Sequence, residues 1–248
     1  AVRSSATAED LASASFAGQQ DTYLNIIGYE SVVRHVKLCW ISLFTDRAIT
    51  YRIQNNFYPT SGVYLCVVVQ KMVRSVSAEI MFTADVMTGV RHVSVIEAGY
   101  GLGEALVSGL INADQYKYDC RSKCVVTSTI GDKHVEIIPT FEDDSCGEDG
   151  GVGGTKTVPV DSTHQKCQAL STERIMSLAQ MGEDIQDHYG GVPQDIEWCI
   201  KKGTNELYIV QSRPITTLFP LPKDNDNSML RVYVSFGHIQ VMLDPMKP

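Results

Sequence analysis

Two strand-like stretches flank a polar turn in the segment DIEWCIKKGTNELYIVQSR, residues 195–213. The spacing predicts a β-hairpin with strands at 195–200 and 206–211, joined around 202–205. Successive side chains of a strand point to opposite faces of the sheet. We therefore expect the first strand to separate its side chains, with Asp195, Glu197 and Cys199 on one face and Ile196, Trp198 and Ile200 on the other.

The polar face of this hairpin suggests a site for phosphate and metal. On the second strand Gln211 and Arg213 share a face, so a carboxylate, an amide and a guanidinium can converge there. Glu197 and Gln211 offer hard oxygen ligands of the kind that Mg²⁺ takes, and Arg213 can pair with a phosphate that the metal bridges. The alternative interpretation is a cross-strand ion pair on a solvated face.

Two segments near the start of the chain suggest further phosphate contacts. Arg3 precedes hydroxyl side chains within 4–7, and a guanidinium with nearby hydroxyls can hold phosphate oxygens. Alternatively, Arg3 pairs with one of the acidic residues at 9 and 10. Further along, Gly18 lies in a small-residue loop that lets backbone N–H groups approach an anion, and Thr22 opens the next strand, expected at 22–26.

The rest of the chain predicts a mixed α/β (α+β) architecture. Apolar residues recur at helical spacing from 29 to about 55, with a break near Asp46, and again over 171–189. A short helix is expected within 99–109. Short apolar runs predict strands at 63–69, 78–83 and 93–98, with two or three more over 116–138.

Composition limits the classes of function. The 248 residues are 44% hydrophobic, enough for the core of one large domain or two small ones. A net charge of −8 argues against a broad nucleic-acid or anionic-membrane surface, since both partners recruit clustered Lys and Arg. No apolar run approaches the roughly 20 residues that cross a bilayer, so we expect a cytoplasmic protein. Seven cysteines without paired spacings predict free thiols.

Three stretches indicate how the chain is organised. Residues 142–154 hold five acidic residues and five glycines, which predicts a mobile, solvated loop. Beyond Pro214 the chain becomes Pro-rich and then polar, which indicates a domain at 1–218, followed at 219–248 by a linker and the start of another domain. The extended opening segment, without an initiator Met, suggests that the chain begins inside a domain.

A series of motifs resembles the phosphoenolpyruvate synthase and rifampin phosphotransferase family, which carries a pyruvate phosphate dikinase-type ATP-binding domain. The motifs include VRSSATAEDL at 2–11, SFAGQQDTYL at 15–24, VQKMV at 69–73, GLGEALVSG at 101–109 and QSRP at 211–214. The resemblance implies part of an ATP-grasp fold, with mixed sheets and flanking helices, in which two lobes clamp ATP. It also places an amino-terminal lobe, with a phosphate-contacting Lys, upstream of Arg3.

Carried over position by position, the resemblance assigns roles to individual residues. It implies that phosphates bind to Arg3, Gly18 and Thr22. It implies that residues 70–73 form the hinge strand against adenine, with contacts from Gln70, Met72 and Val73. It further implies that Glu197 and Gln211 hold Mg²⁺ and that Arg213 steadies the transferring phosphates, so that the catalytic residues are Arg3, Glu197 and Arg213.

The sequence departs from the family pattern at two places. Asp85-Val86-Met87 stands where the family usually has Asn-Pro-Val, which puts a turn beside the site in doubt. The hairpin turn before Gln211 is two residues longer than usual, at a tip where we expect little effect. None of the six histidines lies in the Gly-rich Thr/Ser-His motif through which the family relays phosphate.

The leading hypothesis is the ATP-binding domain of a dikinase that cleaves ATP to AMP and phosphate and phosphorylates rifamycin or pyruvate through a phosphohistidine. The acceptor would bind to domains outside these 248 residues, and this fragment alone is expected to be inactive. The segment 232–248 resembles the rifampin phosphotransferase branch more than the synthases. The alternatives are a noncatalytic ATP-binding or interaction module from a truncated gene, and an ATP-grasp ligase that forms an acyl phosphate.

Overall fold

The computed structural model describes residues 1–7, 21–54, 63–140 and 153–218, all within one compact unit, Ala1–Leu218. Its helices are α1 (Tyr29–Ser42), α2 (Asp46–Gln54), α3 (Glu104–Val107) and α4 (Thr172–His188). Its strands are β1 (Val2–Ala6), β2 (Thr22–Tyr23), β3 (Leu65–Val69), β4 (Ser75–Phe82), β5 (Val93–Tyr100), β6 (Asp114–Asp119), β7 (Cys124–Thr129), β8 (Val135–Pro139), β9 (Thr155–Pro159), β10 (Gln194–Lys201) and β11 (Leu207–Pro214). The predicted mixed α/β class is confirmed. Within these residues no helix combines the length and apolarity needed to cross a membrane.

Six strands form the main sheet, in the order β11-β10-β4-β5-β6-β7, and every neighbouring pair is antiparallel. A smaller sheet has the order β2-β1-β3, and β8 pairs with β9 as a separate hairpin. Both pairings in the smaller sheet are antiparallel. The two ends of the described chain therefore lie in different sheets.

The main core lies between the six-stranded sheet and α4. The helix follows Ser171, whose hydroxyl accepts a hydrogen bond from the backbone N–H of Arg174, a common N-cap arrangement. A Cβ at Gly182 would lie 2.6 Å from Cε of Met81, so glycine allows the helix to approach the sheet closely. Alternate residues of the strands face this helix, so the core contains side chains from both the sheet and the helix. Its buried residues include Met81, Ile96, Tyr116, Ile175, Leu178, Ile196 and Trp198.

Most predicted elements are present, with shifted ends. The helix expected over 29–55 is divided into α1 and α2 at 43–45, close to the predicted break. The predicted second strand is limited to Thr22–Tyr23. Strand β9 was not predicted, because its sequence TKTVP is mostly polar with a single apolar residue before proline. The acidic stretch up to residue 152 and residues 219–248 lie outside the described residues, so those two predictions remain as stated.

A fully buried ion pair joins strand β6 to the segment after β7. Lys133 and Asp114 contact each other with both side chains completely buried. The Asp114 carboxylate also accepts hydrogen bonds from the N–H of Gly131, the N–H of Ala169 and the hydroxyl of Tyr116, at 2.9, 2.7 and 2.9 Å. Four donors thus satisfy one carboxylate, which ties two loops to the first residue of β6.

Removing the lysine should be severely destabilising. We expect Lys133→Met to lower the free energy of unfolding by about 3–5 kcal/mol, since it leaves a buried carboxylate without its counter-charge. Urea denaturation of the 248-residue chain measures this change. The double variant with Asp114→Asn should recover part of the loss, and Lys202→Met, at an exposed position of the hairpin turn, is the control. A loss below about 1 kcal/mol for Lys133→Met would contradict a stabilising role for the pair.

A second buried carboxyl group, that of Glu79 in the middle of β4, has no such set of donors among the described residues. Its side chain is 3% exposed, and neither oxygen has a hydrogen-bond partner among the described residues. Oε1 lies 2.9 Å from the position that a Cβ would occupy at Gly99, so a larger residue there would require the Glu79 side chain to shift. Burial, and then the charges of Glu97 and Glu197, raise the pKa of Glu79 to about 9.

This raised pKa predicts a pH-dependent stability. Above the pKa of about 4.3 of an unfolded glutamate, the unfolded chain releases the proton that folded Glu79 retains, so stability falls by up to about 1.4 kcal/mol per pH unit until the folded pKa is reached. Glu79→Gln should remove this slope. Unfolding titrations at pH 5, 6.5 and 8 should show the variant gaining stability over the parent as the pH rises. Parallel curves would contradict the prediction, and Glu30→Gln, at an exposed position, is the control.

Candidate functional site

The small sheet places Arg3 and Thr22 side by side. In the antiparallel pair β1–β2, Arg3 lies directly opposite Thr22, and on the other side it lies opposite Val68 of β3. Residues directly opposite each other in an antiparallel pair project from the same face of the sheet. Val2 is buried beside Arg3, which fixes the alternation of β1 and turns the guanidinium away from the Val2 side. Two of the predicted phosphate-binding residues are therefore neighbours.

The β10–β11 hairpin has the predicted arrangement of faces. Glu197 lies opposite Gln211, and Asp195 lies opposite Arg213. The intervening apolar residues of β10 are buried in the core under α4, namely Ile196, Trp198 and Ile200. One strand thus packs its apolar side chains against the helix and presents its carboxylates on the other side of the sheet.

Arg3 connects the two sheets. Its guanidinium donates a hydrogen bond of 2.6 Å to Oε2 of Glu197, and it also contacts Oε1 of Gln211. These side chains are partly shielded, with Arg3 18% and Glu197 35% exposed. The Arg3 guanidinium thus reaches both predicted metal ligands. Residues 9 and 10, the alternative partners, lie outside the described residues.

The second guanidinium of the hairpin has a different partner. Arg213 donates to Oδ2 of Asp195 at 2.8 Å, across the strand pair. Our sequence analysis placed Asp195 on the polar face but gave it no role. Its position directly opposite Arg213 was available from the hairpin register, and it shows that Asp195 orients the second arginine. The cross-strand ion pair considered as an alternative therefore exists at this position, beside the Arg3 cluster.

The predicted hinge residues differ in what they contact. Gln70 exchanges two backbone hydrogen bonds with Ala1, and its side-chain amide donates to the carbonyl of Val210 at 3.0 Å. Met72 packs against the hydrophobic cluster of Leu102, Ala105, Ile111 and Ile137. Residues 71–73, including Met72 and Val73, make no backbone–backbone hydrogen bond to other described residues.

The oxygen atoms of Glu197 and Gln211 fit a small, hard cation. Both oxygens point at one positively charged group, the Arg3 guanidinium, which shows that they converge on a common position. No cluster of three or more His, Cys, Asp or Glu side chains with metal-binding geometry exists in the described parts of the chain. Mg²⁺ is usually held by one or two carboxylates together with substrate phosphates, so a carboxylate and an amide are a sufficient protein contribution.

The turn at Asp85 is maintained despite its unusual sequence. The carboxylate accepts hydrogen bonds from the N–H groups of Met87 and Thr88, at 3.0 and 3.3 Å, and from Lys117 at 2.7 Å. Burial raises the pKa of Asp85, but these hydrogen bonds outweigh it and the pKa is lowered. The acid thus stabilises the turn where the family usually has Asn-Pro.

Gly18, the remaining predicted phosphate contact, lies outside the described residues.

Comparison with known proteins identifies the family of the chain. The family model described as "Pyruvate phosphate dikinase, AMP/ATP-binding domain" matches residues 1–231. The chain is 52% identical over its whole length to a rifampicin phosphotransferase of Bacillus subtilis and 51% identical to one of Bacillus cereus. It is 46% identical over 224 residues, 88% of the chain, to a phosphoenolpyruvate synthase of Pyrococcus furiosus.

These relatives are much longer than the chain. The 248 residues span 27% of each of the two Bacillus proteins, and the aligned part spans 26% of the Pyrococcus protein. The family match nevertheless includes both sheets and every residue of the site just described, from Arg3 to Arg213. The chain therefore belongs to the pyruvate phosphate dikinase AMP/ATP-binding domain family.

Proposed function

We propose that the chain is the ATP-binding part of a dikinase-type phosphotransferase that cleaves ATP to AMP and phosphate and phosphorylates an acceptor through a phosphohistidine. The observation that supports this most strongly is the convergence of Arg3, Glu197 and Gln211 from two different sheets. A guanidinium beside a carboxylate and an amide provides a phosphate contact and a cation site within one hydrogen-bond length of each other.

Each charged group has a distinct role in this proposal. Arg3, with Thr22 beside it, binds phosphate oxygens, and Arg213, oriented by Asp195, binds the phosphates from the hairpin. Glu197 and Gln211 hold Mg²⁺, which when bound would bridge phosphate oxygens and reduce their negative charge. The peptide groups of residues 71–73 contact the base. The side chains proposed to hold phosphate and Mg²⁺ all come from paired strands, so this part of the site is largely preorganised for phosphoryl transfer.

The wider organisation follows from the same proposal. We assign residues 1–218 to an ATP-grasp nucleotide-binding domain and residues 219–248 to a linker and the beginning of the next domain. The carrier histidine and the acceptor site would then belong to further domains of the full-length protein. Six cysteines of the described residues are free, in keeping with a cytoplasmic location.

Rifamycin is the proposed acceptor, with pyruvate as the competing candidate. The two Bacillus rifampicin phosphotransferases align over all 248 residues, including 219–248, at 52% and 51% identity. The phosphoenolpyruvate synthases align over 220–224 residues at 46–49% identity. The full-length alignment and the higher identity favour the rifampicin branch.

We expect Glu197→Gln and Arg213→Ala, made in the full-length protein, each to lower ATP turnover at least about a hundredfold, because each removes charge stabilisation at the phosphates. The measurement is AMP formation under saturating acceptor. Glu206→Gln at the exposed hairpin tip and Arg121→Ala in the β6–β7 turn are matched controls and should retain parental turnover. Near-parental turnover in either site variant would remove that residue from the site.

We expect AMP release by the full-length protein to be faster with a rifamycin than with pyruvate. The two acceptors are compared at equal concentrations with the same Mg²⁺-ATP, and AMP release without acceptor is the background. Faster release with pyruvate would reverse the choice of acceptor. Release with neither, while ATP still binds, would favour a noncatalytic nucleotide-binding module.

A further inference from the structure

We propose that Gln70 is a positioning residue. By hydrogen bonding to an irregular point in strand β11, it fixes the position of Gln211 and therefore of the proposed cation site. This inference rests on the proposed function for the role of Gln211. It differs from the role as an adenine contact that the family resemblance implies for Gln70, because here the side chain is engaged by the hairpin.

The irregular point is a β-bulge beside the site. Glu197 pairs with Gln211, but the next residue of β10, Trp198, pairs with Ile209, so Val210 is an extra residue of β11 without an opposite residue on β10. A bulge interrupts the regular ladder of hydrogen bonds and re-aims the side chains next to it. The residue re-aimed on one side of Val210 is Gln211, which contacts Arg3.

Gln70 supplies the donor that the bulge carbonyl needs. Its Nε2 donates to the carbonyl oxygen of Val210 at 3.0 Å, from a position 140 residues away in sequence. An unpaired carbonyl at a partly buried bulge would be unfavourable, so this bond favours the bulged register over one shifted by a residue. A shift of one residue would turn Gln211 to the opposite face and remove its oxygen from the site.

The same residue is tied to Arg3 through the backbone. The N–H of Gln70 donates to the carbonyl of Ala1 at 2.9 Å, and its own carbonyl accepts from the nitrogen of Ala1 at 2.7 Å. Val69 and Val2, the adjacent residues, are paired in the β1–β3 ladder. Gln70 thus joins the strand that carries Arg3 to the strand that carries Gln211, at the start of the hinge.

The first test measures the bulge directly in the 248-residue chain without nucleotide. Gln70→Met removes the amide donor without adding charge and keeps the backbone bonds. Backbone hydrogen exchange in peptides covering 207–214 should become roughly tenfold faster, as expected for the loss of one hydrogen bond. Gln165→Met is the control, since Gln165 makes a similar bond of 2.9 Å to the carbonyl of Val160. Unchanged exchange at 207–214 would overturn the inference.

The second test separates positioning from base recognition in the full-length protein. If Gln70 positions Gln211, Gln70→Met should raise the Mg²⁺ concentration needed for half-maximal ATP binding about three- to tenfold and leave the preference for ATP over GTP unchanged. A changed ATP/GTP preference at an unchanged Mg²⁺ requirement would make Gln70 a base contact and overturn the inference. If the parent itself shows no Mg²⁺-dependent nucleotide binding, the proposed function fails, and hydrogen exchange alone decides whether Gln70 holds the bulge.

Discussion

Arg3 lies at the centre of the site because its guanidinium spans two sheets that share no strand. It comes from the second residue of β1 and reaches Glu197, which is 194 residues away in sequence, and Gln211 beyond it. The pair is partly shielded from water, so the electrostatic interaction is stronger than at a fully exposed surface. The placement of both sheets, and of Thr22 beside Arg3, has to be compatible with this single contact.

The hairpin β10–β11 shows how one strand serves stability and function together. Its apolar residues Ile196 and Trp198 are fixed by α4 on one side of the sheet, and this fixes Asp195 and Glu197 on the other. A shift of one residue in register would exchange the two sets, at the cost of burying carboxylates. The core therefore enforces the orientation of the site, and the bulge at Val210 adjusts only the return strand.

Two buried carboxyl groups in the main sheet differ in the partners that surround them. Asp114 is matched by Lys133 and three further donors, as expected of a structural ion pair. Among the described residues Glu79 has neither a counter-charge nor a hydrogen bond, and it lies near Glu197 of the site. A buried carboxyl group without partners lowers the free energy of unfolding. In natural proteins, unfavourable groups of this kind are concentrated near functional sites.

The sequence alone determined the strands and helices with a clear apolar period, the separation of faces on the hairpin, and the family through ordered motifs. These features depend on neighbouring residues or on spacing, which a single sequence displays directly. It did not identify the polar strand β9, whose pairing with β8 depends on contacts between separate segments of the chain, or the role of Asp195. The tertiary structure decided which carboxylate Arg3 meets, and that the amide of Gln70 binds the carbonyl at the bulge. Those outcomes depend on which strands become neighbours, and neighbours separated by 140 to 194 residues leave no local pattern in the chain.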